Sequence, residues 1–172
     1  MRAVATPSPA SHCPIRISVL AVFALCAAAC QVALMAQYDE QTDQQVSALQ
    51  RDVEMHLTRM EKLAVGFDGT AQHPKCDFAT QQEFYSNAEA TTQALITRNA
   101  VRPKNTQTQQ QLGLLLENLK SLEELHRGSP PDPTHCLSVG NIQIAHETMA
   151  QMFRAILNLE LAKRRGESAK EQ

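Results

Sequence analysis

The stretch Thr106-Gln-Thr-Gln-Gln-Gln-Leu112-Gly-Leu-Leu115-Leu-Glu-Asn-Leu119-Lys-Ser-Leu122-Glu-Glu-Leu-His126-Arg-Gly128 decides the fold. Leu112, Leu115, Leu119, Leu122 and His126 recur at alternating spacings of three and four, which places them on one helical face. Thr106 and Gln109 have the spacing of a capping box, and Gly128 suits the C-terminal end. Three further segments carry the same period. The first uses Val46, Leu49, Val53, Leu57, Met60 and Ala64 and stops near Gly66 and Gly69. The second runs from Asp77 through Phe78, Tyr85, Ala88, Thr92 and Leu95 to Arg102, where Pro103 ends it. The last follows Ser138 as cap, uses Ile142, Ala145, Met149, Met152, Ile156 and Leu159, and ends at Gly166. No segment has the period of a strand. Short or Pro-rich joints between such helices predict an all-α, antiparallel up-down-up-down four-helix bundle over residues 38–166, followed by a polar tail at 167–172.

Upstream of the bundle, Arg16 precedes an apolar run from Ile17 to Ala29 that ends in small residues at Cys30, the pattern of an export signal over residues 1–29. Ala27-Ala28-Ala29-Cys30 has the form of a lipobox, with Cys30 the residue to be lipidated and 30–37 a short tether. Gln31 rather than Asp after the Cys favours outer-membrane delivery in a Gram-negative cell. Two other readings stay open. Ile17–Ala36 is long enough for an uncleaved anchor helix with Arg2 and Arg16 in the cytoplasm, and a cut after Ala29 or Ala36 would release a soluble protein. All three export the bundle.

In an up-down-up-down path the first and third joints share one end, and they hold Cys76 and Cys136. In an oxidising compartment this pair reads as a disulfide. The competing reading is a metal site, because His73, His126 and His135 lie close to these cysteines in the helical scheme, although their spacings are not those of zinc modules. Other cofactor sites are poorly supported. A di-iron bundle needs two Glu-x-x-His pairs, and Glu123-x-x-His126 is the one present. His146 with Met55 or Met60 could ligate haem, but no Cys-x-x-Cys-His motif accompanies them; His56 flanks the first seam as a boundary residue. No Gly-x-Ser-x-Gly or phosphate loop occurs. The expectation is therefore no cofactor and no enzymatic activity. Aromatics are 4% of the chain and Trp is absent, which argues against a sugar- or base-stacking surface. Arg2 and Arg16 lie in the leader and all 18 acids lie beyond it, so the exported part is mildly acidic and not suited to nucleic acid. Lys163, Arg164 and Arg165, at the end of the last helix, read most simply as solvated cations that complement the helix macrodipole; contact with lipid head groups is the alternative.

Tyr38-Asp39 after the lipobox, Cys76, Asn105-Thr106, Leu122-Glu-Glu-Leu-His126, Cys136-Leu137 and Ile156-Leu-Asn-Leu-Glu-Leu-Ala-Lys-Arg-Arg-Gly166 together resemble a group of small uncharacterised bacterial lipoproteins facing the periplasm. The resemblance spans Tyr38 to Gly166. It implies a helical domain with a Cys pair and supplies no catalytic residues. These readings combine into an expected envelope lipoprotein that offers a helical surface to a protein partner. The alternative expectation is a periplasmic metal- or haem-binding bundle.

Overall fold

The computed structural model describes residues 36–65, 75–132 and 134–168. The leader, Cys30, His73, Gly66, Gly69 and the final residues 169–172 lie outside them. Four helices account for about four-fifths of the described residues: α1 (Glu40–Ala64), α2 (Phe78–Ala100), α3 (Thr106–Arg127) and α4 (Val139–Ser168). No strand occurs among the described residues, and no described helix is long and apolar enough to cross a membrane.

The helices form because each has one apolar stripe to bury. In α1 every expected seam residue from Val46 to Ala64 is buried, and in α3 the same holds from Leu112 to His126. Residues α1 and α3 each pack against both α2 and α4, which gives a four-helix bundle. Glu61 and Glu54, late in α1, reach Gln143 and His146, early in α4. Asp39, just before α1, meets Arg98 near the end of α2, and Asn105, just before α3, meets Lys163 near the end of α4. These pairings are the ones an alternating path of helices produces.

Three sequence expectations are corrected. In α4 the seam passes through Phe153 and Glu160 in place of Met152 and Leu159, which are only half-buried. From Met149 onward the buried residues are Met149, Phe153, Ile156, Glu160 and Lys163, a continuous face that a search restricted to apolar residues leaves one step early. Gly166 does not stop α4, which continues to Ser168, so the bundle extends past the expected boundary. The Thr106–Gln109 capping box does not form, because Asn105 occupies the N-cap position and the Gln109 amide donates to the Asn99 carbonyl instead.

Other end signals act as expected. Ser138 Oγ accepts the Asn141 amide at 3.2 Å, capping α4. Gly128 adopts φ 79° at the end of α3, a left-handed conformation that favours glycine, and an added Cβ there would sit 3.4 Å from the His135 ring. Cys76 and Cys136 are joined by a disulfide across 60 positions of chain. On the loop-entropy argument this cross-link contributes roughly 4 kcal/mol by restricting the unfolded chain.

Candidate functional site

The bundle has two differently built ends. At the disulfide end, His126 is buried at the close of α3. Its Nε2 lies 2.9 Å from the Cys76 carbonyl, which can only accept, so Nε2 carries the proton. Its Nδ1 then accepts from the Tyr85 hydroxyl at 2.9 Å. His135 Nδ1 donates to the His126 carbonyl at 3.0 Å, and the Phe78 amide donates to the His135 carbonyl. One neutral imidazole thus connects the start of α2, the end of α3 and the third joint. Burial pushes the His126 pKa down, consistent with the neutral form.

This arrangement bears on the metal set expected as an alternative. The two sulfurs are bonded to each other, and both nitrogens of His126 are engaged by protein groups, so neither offers a lone pair to an ion. Cys76, Asp77 and Cys136 are close enough together to bind a metal by distance alone, but with the sulfurs oxidised the cluster is a cross-link rather than a ligand set. The haem pairing is not assembled either: His146 Nδ1 is 3.0 Å from Glu54 Oε2, Met60 is in the core and Met55 is exposed.

Beside this cluster His56 is buried, with its ring stacked on Phe84 at 3.5 Å and its Nε2 lacking a partner among the described residues. Burial, with smaller contributions from His126 and Arg59, holds its pKa down to about 3. The expected boundary residue is therefore a core histidine.

At the opposite end the helices are joined by polar side chains instead. The Lys163 ammonium, only 5% exposed, donates to Asn105 Oδ1 at 2.6 Å, Thr108 Oγ1 at 2.8 Å and Glu160 Oε1 at 2.5 Å. Asn105 donates to the side chain of Asn99, whose own amide reaches Thr42 Oγ1 at 3.2 Å. Thr42 lies on α1, Asn99 on α2, Thr108 on α3, and Glu160 with Lys163 on α4, so one hydrogen-bonded chain touches every helix. The assignment of Lys163 to lipid head groups is thereby overturned: its charge is neutralised and enclosed. Arg164 packs over the Tyr38 ring at 5.7 Å, and Arg165 is exposed.

The same end clamps the incoming chain. Asp39 forms a two-point ion pair with Arg98 (2.7 and 2.9 Å), which holds its carboxyl well below the usual carboxylate range. Arg102 donates to the carbonyls of Gln37 and Tyr38, and the Tyr38 amide donates to Glu167 at 2.7 Å. Glu167, assigned from sequence to the tail, is thus part of the fold.

The sequence reading missed Thr42, Asn99, Thr108 and Glu160, and gave Lys163 a role outside the core. A signal was present. Thr42, Asn99, Thr108 and Glu160 each continue their helix's seam four residues beyond its last buried apolar member, and Lys163 follows Glu160 by three, all towards the same end of the bundle.

Compared with protein-family models, curated proteins and solved structures, the chain gives no match. The fold and its two ends define a disulfide-closed helical bundle whose residues Gln37, Tyr38 and Asp39 are bonded to the end of α2, the turn after it and the end of α4.

Two predictions follow from these geometries. Lys163→Met leaves Glu160 buried without its counter-charge and is expected to cost about 3–5 kcal/mol in urea unfolding, whereas Lys163→Met with Glu160→Leu recovers most of the loss. A double variant whose loss equals the sum of the two single losses would show that the pair acts independently. For His56, the unfolded chain protonates below about pH 6.5 while the folded chain resists to about pH 3, so stability falls as pH drops through that window. By pH 5 the deficit from this one group is about 2 kcal/mol. His56→Phe is expected to lose correspondingly less stability between pH 7 and pH 5; identical losses would remove His56 as the cause.

Proposed function

We propose that this chain is an exported, non-enzymatic envelope lipoprotein, anchored through Cys30, that holds a helical bundle in the periplasm as an interaction surface for another envelope protein. The observation that carries the reading is the Cys76–Cys136 disulfide, since such cross-links persist in oxidising compartments outside the cytoplasm. The apolar run ending at Cys30 supplies the route to that compartment. The clamp on Gln37, Tyr38 and Asp39 suits a domain held by its N-terminus, because a pull on the tether is received by ion pairs and hydrogen bonds to α2 and α4. For the partner, Ile144 on α4 is 66% exposed, and Leu114 and Leu125 lie exposed on neighbouring α3.

The test is intact-mass analysis of the mature protein from membranes, combined with a photo-crosslinking residue at Ile144. A mature chain beginning at an acylated Cys30, together with one discrete cross-linked protein absent when the probe is moved to exposed Glu124, is the expected result. Cys30 present but unacylated would refute the lipoprotein assignment, and no adduct above the Glu124 control would refute the surface.

A further inference from the structure

The flanks of α3 and α4 differ in charge. Lys120, Glu123 and Arg127 stand on the flank of α3 turned to α2, beside Glu89. Gln143 and His146 stand on the flank of α4 turned to α1, where Glu61 and Glu54 meet them. The other two flanks border the groove between α3 and α4, which pack together through Thr108 and Glu160. On α3 this flank runs through Leu114, Asn118 and Leu125, and on α4 through Ile144, Thr148 and Ala155, each set at helical spacings. The positions that continue these spacings, from Gln107 to Leu125 and from Asn141 to Ala162, hold no charged residue, in a chain that is 20% charged. Leu114, Leu125 and Ile144 nonetheless face solvent there, at 42%, 46% and 66% exposure.

The pairings of Thr108 with Glu160 and of Asn105 with Lys163 set the register of these two antiparallel helices. Leu125 therefore lies level with Ile144, and Leu114 level with Ala155. The face has a raised apolar end, Leu125 with Ile144, and a low end where Ala155 offers only a methyl group. The two ends are about 16 Å apart along the helices. A face with charges of one sign repels its own copy across a two-fold axis, and a face that selects a different protein usually carries charges that steer it. This face has neither, so a second copy meets no repulsion on it although the chain is net acidic, with a formal charge of -2. Turned about a two-fold axis near Asn118 and Thr148, it also fits itself, raised end to low end.

We infer that the α3–α4 face is where a second copy of this chain docks, antiparallel and two-fold, with Ile144 of each copy against Ala155 of the other. The inference rests on the interaction-surface reading above and narrows its partner to another molecule of the same chain. A flank of about 27 Å, two helices of about 10 Å wide, buries roughly 500 Å² per copy, the low end for a specific contact. The pair is accordingly weak in dilute solution and forms where copies are concentrated.

The experiment uses the purified full chain in detergent, with no other protein present. A photo-crosslinking residue is placed at Asn118 or, as control, at Lys120 on the opposite flank of α3. The expected result is a product of twice the chain mass from position 118, rising with protein concentration, and little from position 120. Ile144→Glu and Ala155→Lys are each expected to lower that product at least about fivefold, and the two together to restore most of it, because each Glu then faces a Lys of the other copy. The helical signal and the disulfide are expected to be unchanged; Ile144→Glu, at an exposed position, carries the test by itself if Ala155→Lys unfolds the chain. No product at 118 above the 120 control, or a product that Ile144→Glu leaves unchanged, overturns docking of a second copy. Loss in both folded single variants without restoration in the double overturns the antiparallel arrangement. When docking of a second copy fails, an Ile144 adduct with a different protein in cells leaves the interaction surface standing, and no adduct in cells removes both.

Discussion

The hydrogen-bonded chain from Thr42 through Asn99 and Asn105 to Lys163, Thr108 and Glu160 is the constraint on which the rest of this bundle depends. Apolar seams alone tolerate sliding, because one leucine fits a neighbouring gap almost as well as the next. A buried ammonium does not slide. Moving α3 against α4 by one turn would separate the Lys163 ammonium from Asn105 and Thr108, and moving α1 against α2 would break the Asn99–Thr42 bond; either leaves buried polar groups unsatisfied, a larger penalty than a repacked methyl group. The network thus selects one register for four helices, a role for which buried polar groups are best attested. Its cost is visible in Glu160 Oε2, which is buried with no hydrogen-bond partner among the described residues.

The two ends solve the same problem by different chemistry. At the disulfide end a covalent bond joins the first and third joints, and the neutral His126 satisfies the Cys76 carbonyl that the loop exposes. At the tether end no cross-link exists among the described residues, and the polar network with the Asp39–Arg98 pair takes its place.

The four helices were legible in the sequence because their middles are purely amphipathic. From Val46 to Ala64 and from Leu112 to His126, every seam residue named from spacing is buried. The disulfide was legible too, through the parity of the joints. What escaped was the polar continuation of each seam, since a search for apolar period ends at Leu95 and Leu112 and, after Ile156, turns aside to Leu159. The residues beyond them, Asn99, Thr108 and Glu160, keep the spacing and lose the hydrophobicity. Lys163 was misread for the same reason: three consecutive basic residues at a helix terminus resemble a solvated patch, and only the helical angle distinguishes the one that turns inward from the two that do not.

Helix ends ordinarily fray, so the network makes a claim that native-state amide hydrogen exchange can test directly. The account predicts that amides of Asn99, Leu112 and Glu160, although close to helix ends, exchange as slowly as those of Val53 and Leu119 in the middle of the bundle. Fast exchange at these three positions, with protection confined to the middle and the disulfide end, would contradict the claim that the polar chain locks the four helices together.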